Sequence, residues 1–119
     1  MSVLSREFVT PSSQEFVNAL GVEPECVEGT VQVLRLGEVT GEEVTFAYDA
    51  VGRSVRVTWF SSSGDTVMDI YREGGELLRI TEDGNSTGIL AEFSTGGSKG
   101  EIRLQVFPAI QLTEESLIS

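Results

Sequence analysis

From Val44 onward, apolar residues fall on every second position. Val44, Phe46 and Tyr48 alternate with more polar neighbours, and after a short break Val55, Val57 and Trp59 do the same. A period of two, carried by β-branched and aromatic residues, marks half-buried strands. The pattern predicts strands near 42–49, 53–60, 65–72, 76–82, 87–94 and 100–107. An earlier one lies in "GTVQVLRLG", with Val31 and Val33 on one face and Leu34 and Leu36 on the other. Short polar turns at Gly52, Ser61 to Gly64, Gly74-Gly75, Asp83 to Ser86 and Gly96-Gly97 separate them. The N-terminal part reads differently. In "PSSQEFVNALG" the apolar stripe Phe16, Val17 and Leu20 has helical spacing, Ser12 or Ser13 supplies an N-cap, and Gly21 stops the helix. Pro24 lies in an acidic connector, Pro108 ends the last strand, and "LTEESLIS" reads as a frayed tail or one short helical turn.

Short connections make successive strands antiparallel neighbours. The expected fold is therefore mainly β (α+β): an N-terminal helix on a curved antiparallel meander of about seven strands. One face would carry Phe46, Tyr48, Val55, Val57, Trp59, Val67, Tyr71, Leu78, Ile80, Ile89, Phe93, Ile102 and Leu104. Such a face must be buried, either by curling toward a partial or closed barrel or beneath the helix. At 119 residues the chain reads as one domain: helix and acidic connector 1–28, β-meander 29–108, C-terminal tail 109–119.

The turns carry a second regularity. Tyr48, Tyr71 and Phe93 are 23 and 22 residues apart, and Gly52, Gly75 and Gly97 keep those offsets. "VTFAYDAVGRSVRV", "VMDIYREGGELLRI" and "ILAEFSTGGSKGEI" thus read as three copies of one strand–turn–strand unit, with hairpins turning at the three glycines. In the first copy Asp49 is placed to accept backbone hydrogen bonds, and Gly52 to take a left-handed conformation. This copy resembles the YD (RHS-type) repeat, whose core reads Tyr-Asp-x-x-Gly-Arg, here Tyr48, Asp49, Gly52 and Arg53. The second copy departs from it with Arg72 and Glu76, the third with Phe93, Ser94 and Ser98. The resemblance implies a β-hairpin module and a toxin-associated setting.

Charge narrows the functional classes. Nineteen acidic against eight basic residues give a net charge of −11. Nucleic-acid binding needs basic surface to displace counterions from phosphates, and anionic membranes repel an acidic protein. Residues 21–50 hold seven acids (Glu23, Glu25, Glu28, Glu38, Glu42, Glu43 and Asp49) against one base, Arg35. Such a block is either a solvated face or a docking surface for a basic partner, associating fast and salt-sensitively. The expected partner-binding residues are Glu23, Glu25, Glu28, Glu38, Glu42 and Glu43.

The sequence offers little catalytic chemistry. It contains no histidine, which removes Ser–His and Cys–His nucleophiles and histidine-zinc sites. "DGNSTG", Asp83 to Gly88, begins like an EF-hand loop, but position 12 is Ser94 and the flanks alternate like strands, so no metal site is expected. Cys26 stands alone, beside Glu25 and Glu28, without the partner for an internal disulfide or the positive neighbours of a reactive thiol. "MSVLSREFV" lacks the basic and apolar regions of a signal peptide, and no apolar run is long enough to span a membrane. The chain reads as cytoplasmic, without cofactor. Asp69 is the one unusual acid: the unit alignment places it with Phe46 and Ala91 on the apolar face. There it would pair with an arginine or, desolvated, act as a general acid.

Three readings follow. The first is a small acidic immunity-type inhibitor neutralising a basic partner such as a toxin. The second is a small-molecule-binding β protein whose cavity is lined by Tyr48, Trp59, Asp69 and Tyr71. A carboxylate-dependent enzyme comes last.

Overall fold

The computed structural model describes residues 7–118. Residues 1–6, most of the segment read for a leader, and Ser119 lie outside them. Helix α1 spans Ser13–Leu20. The Ser12 hydroxyl accepts the Glu15 amide at 3.2 Å, and Gly21, left-handed at φ 75°, donates its amide to the Val17 carbonyl at 2.9 Å. Both ends thus follow the expected local chemistry. Phe16 and Leu20 are buried, whereas Val17, expected in the same stripe, is 37% exposed.

Among the described residues nine antiparallel strands follow in two sheets. The first runs β1 (Glu25–Glu28), β2 (Val31–Arg35), β3 (Glu43–Asp49), β4 (Ser54–Phe60) and β5 (Thr66–Glu73), with the single-turn helix α2 (Gly37–Thr40) between β2 and β3. The second runs β6 (Gly75–Asp83), β7 (Ser86–Thr95), β8 (Ser98–Phe107) and β9 (Gln111–Ile118). Mainly β, antiparallel and headed by one helix, the architecture has the expected class. The connector and the tail each contribute a strand, because Glu25 to Glu28 fold back on β2 and residues 111–118 pair with β8.

The meander does not continue as one sheet. Of the three turn units, the first and third are hairpins, β3–β4 and β7–β8. The middle one, at Gly74-Gly75, is a corner between the sheets. There Gly74 takes φ +83° and accepts the Ser94 amide, while the Gly75 amide donates to the Arg53 carbonyl at 2.9 Å. The first hairpin also differs in detail. Asp49 Oδ1 accepts the amides of Val51 and Gly52 at 3.1 and 3.0 Å, but the left-handed residue is Arg53, at φ 56°, and not Gly52. Gly52 instead leaves room for the carboxylate, since a Cβ there would lie 2.6 Å from Asp49 Oδ2. In the third unit Gly96, not Gly97, has the positive φ.

A single core takes Leu34, Val44, Phe46, Val55 and Val57 from the first sheet and Leu78, Ile89, Ala91, Ile102 and Leu104 from the second, with Phe16 and Leu20 from α1. Fully burying a side chain such as Phe46 contributes about 1.5–3 kcal/mol. Strand β5 is out of phase with the expectation. Val67 and Tyr71 are 54% and 55% exposed, and Met68, Ile70 and Arg72 take the less exposed positions. Trp59 pairs with Met68 but Phe60 pairs with Thr66, so Val67 is an extra residue at an irregularity. A one-residue shift moves every following side chain to the other face.

Candidate partner-binding surface

The residues named for a cavity do not come together. Tyr48 is buried, with ring centroids of Phe16 and Phe46 5.7 and 6.4 Å away, and burial raises its pKa. Trp59 is half-buried against the core edge, while Asp69 and Tyr71 project from the opposite face of the sheet because of the β5 phase. Asp69 is exposed and ion-paired. Arg56, one strand over, donates from Nε to Oδ1 at 2.9 Å and from the terminal nitrogen to Oδ2 at 2.7 Å. The hydrogen bonds from Arg56 hold this carboxyl below the usual carboxylate range, opposite to what a general acid requires. Asp83 to Ser86 form the β6–β7 hairpin turn, closed by Ser86 Oγ donating to the Asp83 carbonyl at 2.9 Å.

The six carboxylates of the acidic block are all exposed, but only some share a location. Glu28 lies at the hairpin end of β1, opposite Val31. Glu23 precedes β1, turned outward between buried Val22 and Pro24. Glu25 accepts from Arg35 Nε at 2.8 Å. Glu38, Glu42 and Glu43 are gathered by α2. Thr40 Oγ1 donates to the Leu36 carbonyl at 2.8 Å, Gly41 reverses the chain at φ +77°, and the Glu42 amide donates back to Thr40 Oγ1 at 3.2 Å. This tight return sets Glu38 beside the start of β3. Among the described residues none of these three carboxylates makes an ion pair.

They border an open hollow of about 630 Å³, together with Arg35, Thr45 and Phe60. A second hollow of about 570 Å³ shares Glu42, Glu43 and Phe60 and adds Trp59, Ser61 and Val67. Glu43 and Phe60 are direct cross-strand partners. Phe60 was not anticipated as a surface residue, yet a signal was present. Trp59 and Phe60 are adjacent in a strand, so their side chains must lie on opposite faces.

A further acidic feature depends on pairing alone. Glu92, Glu101 and Glu115 stand in one cross-strand row over β7, β8 and β9. They border a smaller hollow of about 250 Å³ with Glu76 and Lys99. Like charges directly opposite one another are destabilising. The row follows from the strand register and not from any run of acids in the sequence.

No family model matches the chain, and no curated protein matches it. A solved structure does. A chain of the contact-dependent growth inhibition toxin – immunity protein complex from Klebsiella pneumoniae 342 has the same fold, with a TM-score of 0.78 and 19% sequence identity. The likeness covers 91% of this chain and 96% of that one. Among the described residues no helix is long and apolar enough to cross a membrane.

Proposed function

We propose that this chain is an immunity-type inhibitor, a small acidic protein that binds a basic toxin in the cytoplasm and neutralises it. The observation that carries this reading is the fold shared, over nearly the full length of both chains, with a component of a toxin–immunity complex. Charge favours the immunity side of such a pair. A net charge of −11 suits a protein that masks basic surface and not one that must approach phosphates. The absence of histidine removes the commonest general base from any toxin-like activity. The YD-like core at Tyr48, Asp49, Gly52 and Arg53 accords with the same setting.

Glu38, Glu42 and Glu43 are the centre of the proposed footprint, with Glu25 tied to its rim through Arg35. Glu23 and Glu28 would act at longer range, through the field that steers encounter. The test is a binding measurement with the purified product of the neighbouring gene. The reading expects a stable one-to-one complex whose association rate falls between 20 mM and 500 mM salt. A neighbouring product that forms no complex at either salt would contradict it.

A further inference from the structure

We infer that the paired hollows flanking Phe60 are where an arginine side chain of the basic partner anchors; this rests on the immunity reading. The two hollows meet at Glu42, Glu43 and Phe60, with Glu38 on one side and Trp59 and Val67 on the other. The surface is thus amphipathic as well as acidic. Phe60 and Trp59 are each half-buried, and Val67 is 54% exposed. Aromatic residues anchored at the edge of a core and open to solvent are the usual centres of protein interfaces.

Charge complementarity selects the occupant. Glu38, Glu42 and Glu43 make no ion pair among the described residues, so each is available to a partner. Arg35, the one base at the rim among the described residues, is engaged by Glu25 at 2.8 Å, which lowers its repulsion of an incoming cation. Gly41 places no side chain between the hollows. A guanidinium can stack on the Phe60 ring while its forked donors meet carboxylates, a combination the compact lysine ammonium cannot match. The other acidic surface, the Glu92–Glu101–Glu115 row, has no comparable ring: Phe93, which borders it, is only 4% exposed.

Trp59, the only tryptophan of the chain, sits in the second hollow and reports on it. The probe is capped tetra-arginine, compared with capped tetra-lysine, titrated at low salt while Trp59 emission is followed. Tetra-arginine should change the emission saturably and bind more tightly than tetra-lysine. Phe60→Leu should weaken arginine binding about two- to five-fold, the scale of an exposed cation–π contact, and largely remove the preference over lysine. Glu42→Gln with Glu43→Gln should weaken both peptides, whereas Glu101→Gln with Glu115→Gln should leave the Trp59 response unchanged. Circular dichroism and melting confirm that each variant is folded. Equal binding of the two peptides, or a Phe60→Leu variant that still prefers arginine, would overturn the assignment. The same variants are then measured against the neighbouring gene product. If the parent binds that product and the Phe60 and Glu42/Glu43 variants bind it equally well, the anchor is elsewhere and the immunity reading stands. If the parent does not bind it, the immunity reading falls, whatever the peptides show.

Discussion

Arg72 and Glu114 join the free edges of the two sheets. Arg72 Nε, on β5, donates to Glu114 Oε2, on β9, at 2.7 Å, and its terminal nitrogen reaches Ser116 Oγ at 3.0 Å. The guanidinium carbon also lies 6.0 Å from the centroid of the Phe93 ring. The link spans 42 residues of sequence and arises because the β5 phase turns Arg72 toward the second sheet.

Replacing Arg72 by methionine should therefore destabilise the protein by about 1 kcal/mol. Both side chains are about one-third exposed, 31% and 37%, and solvent screens such pairs. Glu114→Gln should cost less, because the Ser116 and Phe93 contacts remain. A double-mutant cycle in urea, with hydrogen exchange on β9 amides, measures both. Uniform loss of protection over all strands, without a larger effect in β9, would argue against a local clasp.

The corner at Gly74 makes a second prediction. Its φ of +83° disfavours any side chain, and a Cβ would lie 2.8 Å from the Ser94 carbonyl oxygen and against the Thr95 methyl. Gly74→Ala should lower stability by more than about 1–2 kcal/mol, the left-handed cost alone. Gly84→Ala, at φ +61° with nothing within 4 Å of its Cβ, should show only that conformational cost. Thermal melts of the two variants compare them; equal losses would mean that the Gly74 corner is loosely packed.

The acidic row on the second sheet should be improvable. Glu115→Lys places a cation opposite Glu101 and should raise stability by about 0.2–1 kcal/mol, with the gain shrinking in 1 M salt. Thr113→Lys, which sets a cation opposite Arg103, should have the opposite sign. Melting temperatures at two salt concentrations decide between this account and a pairing that does not matter.

Much of this was legible in local chemistry. The caps Ser12 and Gly21 satisfy helix ends with their own atoms, and the Asp49 turn uses hydrogen bonds two and three residues away, so neighbours in sequence sufficed. The phase of β5 was not legible, because one extra residue at Val67 reverses the faces without changing composition. Nor was the sheet break at Gly74-Gly75, where Gly74 meets Ser94 of β7 and Gly75 meets Arg53 in the β3–β4 turn. The acids of the footprint were visible individually. Their grouping awaited the α2 turn that returns Glu38 to Glu42 and Glu43, and it left Glu23 and Glu28 apart. Asp69 was placed on the wrong face for the same reason as Tyr71, by an alignment that assumed an unbroken period.

Acid should expose the Asp49 turn. Hydrogen bonds from the Gly52 amide, from Thr30 Oγ1 and from the Val51 amide hold its carboxyl below the ordinary value of 3.8. As pH falls below 3.8, the unfolded chain takes up this proton first, so the stabilisation present above that pH is lost through the folded value. Asp49→Asn should thus lose stability at pH 7 and show a shallower decline than the parent below pH 4. Parallel stability curves for the two proteins would remove Asp49 from the acid response.

Neutralisation itself is tested most directly by growth. Cells expressing the neighbouring gene product should stop growing, and co-expression of this chain should restore growth. Charge-reversed Glu38→Lys, Glu42→Lys, Glu43→Lys protein, folded and equally abundant, should restore it poorly. Growth arrest unchanged by the parent chain, with the chain folded and present in excess, would contradict the immunity account.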